Sequence, residues 1–202
     1  MAGAPDKNDV LSADILWSAE ASTRDRLIAA ALTEFNEKGW LGTDTNRIAR
    51  AAGFAPQTFY RHFKDKTDIF LAAHDACMRA EYRAIDAVAE ARRDDYDLAI
   101  ADIIIAHHGA WRRFYKAMKL LSESDERIHA RRVESLGWKL KRVRHLPGNE
   151  GRSEAELIAD LFAIERLCDA VIDGEFEGAG VSAEAARGLV AAAVAKACGG
   201  RL

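Results

Sequence analysis

This chain of 202 residues has few cysteines, and they do not form a recognisable pattern. Its 3 cysteines, Cys77, Cys168 and Cys198, lie far apart and outside any C-x-x-C or Cys/His cluster. That number and spacing argue against a disulfide framework and against a zinc site. We therefore expect no metal and no cofactor.

Long apolar runs and targeting signals are also missing. No apolar stretch approaches the roughly 20 residues that a membrane-spanning helix needs, and the N-terminus lacks a charged segment followed by an apolar one. The sequence therefore predicts a cytoplasmic protein without a membrane partner.

The sequence motifs of common enzymes are missing as well. There is no G-x-G-x-x-G, P-loop, G-x-S-x-G or H-E-x-x-H pattern. Glu126 and His129 form a single Glu-x-x-His, whereas di-iron helical bundles need two copies and further glutamates. We expect no catalytic residues, and an all-α enzyme or metal-binding helical protein remains the alternative from a different class.

The most informative segment that is present runs from Thr43 to Lys66. It holds two short helix-like segments separated by a glycine, with apolar residues at helical spacing in both: Ile48, Ala49, Ala52, Phe59 and Phe63. Such a pair of short helices is typical of a helix-turn-helix, in which the second helix enters the major groove of DNA.

Local signals agree with this interpretation. Asp44, or Thr43 before it, is suited to cap the first helix. Gly53 stands where a left-handed backbone is often required, and Pro56 suits the first turn of the second helix. Alanine-rich turns with a glycine occur in any small helical domain, but agreement across roughly twenty residues favours DNA binding.

If the segment binds DNA, the polar face of its second helix would supply the contacting side chains: Gln57, Thr58, Tyr60, Arg61 and His62. Glutamine and arginine make paired hydrogen bonds to adenine and guanine edges, and threonine can contact a thymine methyl group. Tyr60 and His62 are better suited to phosphate oxygens. Residues 22–66 hold eight basic and five acidic side chains in a chain of net charge −3, so the basic excess coincides with this segment.

Helical periodicity without strand alternation predicts an all-α fold. We expect an N-terminal arm over residues 1–21, a three-helix helix-turn-helix domain over 22–66, and a C-terminal helical ligand-binding and dimerisation domain over 67–202. Ser22 with Asp25 opens the first helix and Gly39 ends it, while Asp65 and Asp68 open the fourth. Later helices are predicted over residues 97–121, 124–146, 154–173 and 182–198.

The last two predicted helices carry apolar stripes rich in small residues. The stripes are Leu157, Leu161, Ile164, Cys168 and Val171 on one helix, and Ala186, Leu189, Val190, Ala193 and Ala197 on the other. Two such hairpins can form a four-helix interface between copies of the chain. The pattern alone fits a core within one chain equally well.

Aromatic and apolar residues of the middle helices are candidates for a small-molecule pocket. They are Ile104, His107, Trp111, Phe114, Tyr115 and Met118, which would share one face of the helix over 97–121, with Trp138 closing over them. An aromatic stripe at helical spacing is more often core, so both interpretations stay open.

The stretch from Arg24 to about Leu71 resembles the DNA-binding domain of the tetracycline-repressor (TetR) family. The resemblance rests on the helix LIAAALTEFNEKG, Trp40, Ile48-Ala49, Ala52-Gly53 and the run TFYRHF that ends at Phe63. It implies an all-helical homodimer, joined through the last two helices, that binds a palindromic operator and releases it when a small molecule binds the C-terminal domain.

The resemblance also implies roles for individual residues. Base contacts would come from Pro56, Gln57, Thr58 and Arg61, and phosphate contacts from Thr43, Tyr60, His62 and Lys66. Two positions depart from the family pattern: Ala55 stands where a serine cap is common, and Thr45 where an apolar residue is common. A repressor and a ligand-independent activator would share these features.

Overall fold

The computed structural model describes residues 21–90 and 95–200, and within these ranges all regular structure is helical. The helices are α1 (Thr23–Lys38), α2 (Thr45–Ala51), α3 (Pro56–Phe59), α4 (Lys66–Glu90), α5 (Tyr96–Ala110), α6 (Arg112–Leu121), α7 (Glu126–Arg144), α8 (Glu154–Ile172), α9 (Glu175–Gly178) and α10 (Ala183–Ala197). The predicted all-α class is confirmed. The predicted arm over residues 1–21 lies outside the described residues except for its last position.

The chain divides into two compact units. The first comprises the described residues up to Tyr82 together with Ala110–Arg131, and the second comprises Arg83–Gly109 together with the described residues from Arg132 onward. The first unit thus extends beyond residues 22–66 and takes in α6 as well as parts of α4 and α7. The boundary after Lys66 stays a prediction about the DNA-binding domain itself.

An aromatic cluster forms the centre of the first unit. Phe35, Phe70 and Phe114 are each fully buried, with ring centroids 5.0 Å apart for Phe35 and Phe70 and 4.7 Å apart for Phe70 and Phe114. Complete burial of such a side chain contributes about 1.5–3 kcal/mol relative to exposure. The cluster fixes α1, α4 and α6 against one another and so supports the short helices α2 and α3.

The predicted ends of α1 and α4 are confirmed. The Ser22 hydroxyl oxygen accepts a hydrogen bond from the Asp25 amide at 3.2 Å, and Gly39 ends α1 with φ +72°. Before α4, the Asp65 carboxylate accepts from the Asp68 amide at 2.7 Å. Short polar side chains satisfy the free amides of a helix start wherever they precede it, so these ends are encoded locally.

The single helix predicted over residues 97–121 is wrong, because the structure has two helices separated at Trp111. Trp111 has φ −105° and ψ 26°, outside the helical range. Asn36 of α1 donates to the Ala110 carbonyl at 2.8 Å and accepts from the Phe114 amide at 3.2 Å. Its side chain thus takes the place of the helical bond between Phe114 and Ala110, which is a recognised cause of a helix break.

In the second unit, α8 and α10 pack against each other and against α5. Cys168 and Val190 are fully buried between them with Ala101. The loop between α7 and α8 is tied to the end of α10 by the buried Asn149, whose amide nitrogen donates to the Ala197 carbonyl at 2.8 Å. Ser153 caps α8 by accepting a hydrogen bond from the Glu156 amide at 3.3 Å, and Ser182 caps α10 by accepting from the Ala185 amide at 3.2 Å.

Candidate nucleic-acid interface

The turn between α2 and α3 is held by backbone bonds and by one arginine. Gly53 has φ +80°, and the Phe54 amide donates to the Ala49 carbonyl at 2.8 Å. Arg26 of α1 donates to the Ala52 carbonyl at 3.0 Å and lies over the Phe54 ring, 4.5 Å from its centroid. The left-handed residue that the sequence predicted at Gly53 is confirmed. Arg26 was missed, because nothing in its sequence neighbourhood shows that it reaches this turn.

Asp44, rather than Thr43, caps α2. The Asp44 carboxylate accepts from the Arg47 amide at 2.8 Å. Thr43 is 2% exposed, and its hydroxyl donates to the Glu34 carbonyl at 3.1 Å. The phosphate contact that the resemblance implied for Thr43 therefore has no free side-chain donor in this structure.

Lys66 is directed into the domain in a similar way. Its ammonium group donates to the carbonyls of Trp40, at 2.9 Å, and Thr43, at 3.1 Å, and lies 4.1 Å from the Trp40 ring centroid. Burial lowers the pKa of Lys66, against the opposing effect of Asp44. The contacts hold the loop between α1 and α2 to the start of α4. The Lys66 ammonium group, which the resemblance assigned to a DNA phosphate, thus binds backbone carbonyls of its own chain.

The helix α3 is a single turn anchored by aromatic side chains. Phe59 is fully buried, and Phe63 packs against it with a centroid distance of 5.6 Å. Pro56 occupies the first turn, as predicted, and Ala55 gives no side-chain cap. Since the helix ends at Phe59, Tyr60, Arg61 and His62 lie in the turn that follows it and not on the helix itself.

The remaining predicted DNA-contacting residues lie on the outside of this turn. Gln57, Arg61 and His62 are exposed, and Tyr60 is 59% exposed. Pro56 and Thr58 are half-buried. Six of the eight predicted residues thus share one accessible stretch, and Thr43 and Lys66 do not.

A contact between α2 and the end of α3 was not predicted. The hydroxyl oxygens of Thr45 and Tyr60 are 3.0 Å apart, within hydrogen-bond distance. The sequence signal is the threonine at position 45, where an apolar residue is common in the family pattern. The bond joins the two helices at their solvent-facing side.

The predicted ligand-binding residues do not share one helix face. Trp111, Phe114, Tyr115 and Met118 belong to the first unit, where Phe114 and Met118 are part of the core. Ile104, His107 and Trp138 belong to the second unit; His107 is buried, and Trp138 is 39% exposed. The single stripe predicted over residues 97–121 is wrong because the helix breaks at Trp111. A ligand role for each residue stays a prediction.

The described residues contain neither a metal-binding cluster nor a membrane-spanning helix. Among residues 21–90 and 95–200, no group of three or more His, Cys, Asp or Glu side chains is arranged to hold a metal ion. Within the same ranges, no helix has the length and the apolar composition needed to cross a bilayer.

Sequence comparison relates the first unit to known regulators. The family model described as "Bacterial regulatory proteins, tetR family" matches residues 27–73. The HTH-type transcriptional regulator AcrR of Shigella flexneri is 42% identical over 48 residues, which are 24% of this chain and 22% of AcrR. The HTH-type transcriptional regulator TcmR of Streptomyces glaucescens is 38% identical over 64 residues, 32% of this chain and 28% of TcmR. The matches thus span no more than 28% of either relative.

Solved structures extend the likeness of fold to most of the chain. A TetR-family transcriptional regulator from Rhodococcus sp. has a TM-score of 0.67 at 14% identity, covering 87% of this chain and 98% of its own. The fatty acid degradation regulator FadR from Bacillus halodurans has a TM-score of 0.62 at 18% identity, covering 88% and 96%. The fold is therefore shared along most of the chain, and the sequence match is confined to its start. Residues 27–73 of this chain are thus similar to the DNA-binding segment of the tetR family of bacterial regulatory proteins.

Proposed function

We propose that this chain is a sequence-specific DNA-binding transcriptional regulator that acts in the cytoplasm, and that it is not an enzyme. The main observation behind the proposal is that α3 has one buried side and one side exposed to solvent. Phe59 is fully buried in the domain, while Gln57 and Arg61 beside it are exposed. A rigidly anchored turn that presents an amide and a guanidinium to solvent has the chemistry needed to read base edges in the major groove.

The contacts divide by chemistry into two sets. Gln57, Thr58 and Arg61, with Pro56 at the start of the helix, face the bases. Tyr60 and His62 hold the phosphate backbone and so fix the position of α3 in the groove. Thr43 and Lys66 support the loop behind α2 through their bonds to backbone carbonyls.

We further propose that the chain acts as a homodimer joined through α8 and α10. The stripes named from the sequence are largely internal, because Leu157, Cys168 and Val190 are fully buried within one chain. The surface of the two helices nevertheless carries Phe162, 51% exposed, and Leu189, 46% exposed.

The neighbours of these two side chains on the surface are small. Ala159 and Ala163 flank Phe162 on α8, and Gly188 and Ala192 flank Leu189 on α10, all of them exposed. Small residues allow two hairpins to approach closely and form a four-helix contact. A two-fold dimer would place its α3 helices about 34–36 Å apart, in successive major grooves of a palindromic site.

The regulator is proposed to repress transcription until a small molecule binds. Such an effector must bind more tightly to the arrangement that does not fit DNA, since equal affinity for both arrangements would shift nothing. By linkage, DNA must lower effector affinity by the same factor by which the effector lowers DNA affinity. A ligand that leaves DNA affinity unchanged would instead favour a ligand-independent regulator.

The proposed function is tested by selecting bound sequences from a random duplex library with the purified full chain at moderate salt. We expect enrichment of a palindrome whose half-sites are separated by about one helical turn. Binding that is salt-sensitive but independent of sequence would contradict the proposal of a specific regulator.

A further inference from the structure

We propose that Thr45 is a positioning residue that holds the Tyr60 hydroxyl in place for a DNA phosphate. The proposal rests on the proposed function, because it assumes that the outer surface of α2 and α3 meets DNA. It concerns a contact that joins residues 15 positions apart, at 3.0 Å between their hydroxyl oxygens.

The Thr45 hydroxyl is available for this contact because the helix start does not need it. Asp44 already provides the cap of α2, through its bond to the Arg47 amide. Thr45 is the first residue of α2, and it is half-buried there. An apolar residue at this position would pack there equally well but could not bind a phenol.

The Tyr60 side chain needs such a partner because most of it is in solvent. Its ring meets the buried Phe59 edge-on, with centroids 5.3 Å apart and an interplanar angle of 75°. That contact holds the inner part of the ring, and the Thr45 hydroxyl holds its tip. An exposed tyrosine fixed at both ends loses less conformational entropy when it binds DNA.

The direction of the hydrogen bond also matters for binding. Phosphate oxygens only accept hydrogen bonds, so the Tyr60 hydroxyl has to donate its proton outward. If Thr45 donates to the Tyr60 oxygen, the phenol proton is left for the phosphate, and the two bonds strengthen each other through polarisation. The chain of donors then runs from Thr45 through Tyr60 to DNA.

The test is a double-mutant cycle in the full chain with Thr45→Val, Tyr60→Phe and the combination. Affinity is measured by fluorescence anisotropy for a duplex of mixed sequence and for a selected site. Thr45→Val keeps the shape and removes the hydroxyl, and Thr45→Ser restores a hydroxyl as the matched control. Thermal unfolding of each variant shows whether folding is intact.

We expect Thr45→Val and Tyr60→Phe each to weaken binding roughly three- to tenfold on both duplexes, as for loss of one hydrogen bond. The double variant should lose no more than either single variant, and Thr45→Ser should bind close to the wild type. The salt dependence should not change, because no cation is removed. The unfolding temperatures of the four variants should agree with that of the wild type.

Three outcomes would overturn the proposal. Losses that multiply in the double variant would show two independent contacts. A Thr45→Val protein that binds like the wild type would remove Thr45 from the interface. If Thr45→Val lowers the unfolding temperature and also weakens DNA binding further in the Tyr60→Phe protein, Thr45 has a structural role instead. A wild-type chain that binds no DNA would instead reject the proposed function, and the inference with it.

Discussion

At the scale of single residues, basic side chains of the first unit bind backbone carbonyls of the same chain. Arg26 and Lys66 donate to carbonyls on either side of α2, at the turn before α3 and in the loop after α1. The local basic excess of the sequence therefore overstates the charge that is available to DNA. Lys64, by contrast, is exposed next to Lys66.

Lys66→Ala should destabilise the chain and weaken DNA binding with little change in salt dependence. The substitution removes two hydrogen bonds from a charged donor and the contact with Trp40, with an expected loss of about 1–3 kcal/mol in the free energy of unfolding. Denaturant unfolding and binding isotherms at several salt concentrations measure the two effects. Lys64→Ala removes the same charge from an exposed position and should leave stability unchanged. A fall of about one unit in the salt slope for Lys66→Ala would restore its assignment to phosphate.

Asp160 gives the second unit a predictable sensitivity to acid. Burial alone would raise the pKa of its carboxyl, but hydrogen bonds and attraction from Arg152 and Lys196 outweigh burial and lower that pKa below its ordinary value of 3.8. The Lys196 ammonium nitrogen lies 2.7 Å from the Asp160 carboxylate. The resulting stabilisation is complete above pH 3.8 and is lost as the pH falls from there through the lower value of the folded state.

Asp160→Asn should therefore lower the free energy of unfolding at neutral pH by about 1–3 kcal/mol. The difference from the wild type should shrink as the pH falls below about 4, because the wild-type carboxyl then becomes neutral as well. Denaturant unfolding at a series of pH values measures this difference in the free energy of unfolding. Glu177→Gln, which changes an exposed carboxyl of α9, is the control. A difference that does not depend on pH would show that the charge of Asp160 is not what stabilises this region.

At the scale of helices, α3 begins without a side-chain cap, as α6 and α9 also do. Ser22, Asp44, Ser153 and Ser182 each accept a bond from an amide at the start of their helices, whereas Ala55 has no acceptor. Its backbone already has the extended conformation of a cap, with φ −68° and ψ 150°. The helix that is proposed to read DNA is thus held by Pro56 and by tertiary contacts of Phe59.

Ala55→Ser should stabilise α3 by about 0.5–1 kcal/mol, since the hydroxyl can accept from the amide of Gln57 or Thr58. Amide hydrogen exchange at these two positions should slow by the corresponding factor. Ala55→Val, which adds bulk without an acceptor, should not slow it. Exchange rates that are equal in the serine and valine variants would contradict the capping argument.

The helices themselves could largely be predicted from the sequence, because their ends depend on residues close in the chain. Ser22, Gly39, Asp44, Gly53 and Pro56 act within a few positions of where they stand. Their predicted roles at the ends of α1, α2 and α3 are confirmed.

Features that depend on distant contacts could not be predicted. The break at Trp111 depends on Asn36, which lies 74 positions before Ala110. The inward direction of Lys66 depends on carbonyls 23 and 26 positions away. The same is true of the candidate site. The exposed residues of α3 could be predicted from the local spacing of apolar and polar residues, but the contact between Thr45 and Tyr60, 15 positions apart, could not.

At the scale of the whole molecule, the proposed regulator requires two copies of the chain. The family match is confined to residues 27–73. That match does not reach α8 and α10, so the proposed dimer contact rests on the exposed faces of these two helices. Phe162 and Leu189 are large apolar side chains on the surface of these helices.

Phe162→Glu combined with Leu189→Glu should convert a dimer into a monomer, because four carboxylates would then face one another in an apolar contact. Sedimentation equilibrium measures the association. Val133→Glu is the control, since Val133 is also exposed but lies on α7. A variant that remains dimeric, or a wild type that is monomeric at micromolar concentration, would contradict the proposed interface.

The outer face of α3 is the part of the molecule that is proposed to read base sequence. The most direct test compares the sequences that the wild type and Gln57→Ala select from one random duplex library. We expect the same palindrome from both, with preference lost at one base pair in each half-site of the Gln57→Ala motif, a change of about 1–3 kcal/mol. Tyr60→Phe, which removes a proposed phosphate contact, should weaken binding without changing the motif. An identical motif from Gln57→Ala would remove this residue from sequence reading, and the absence of any motif from the wild type would show that α3 does not read base sequence.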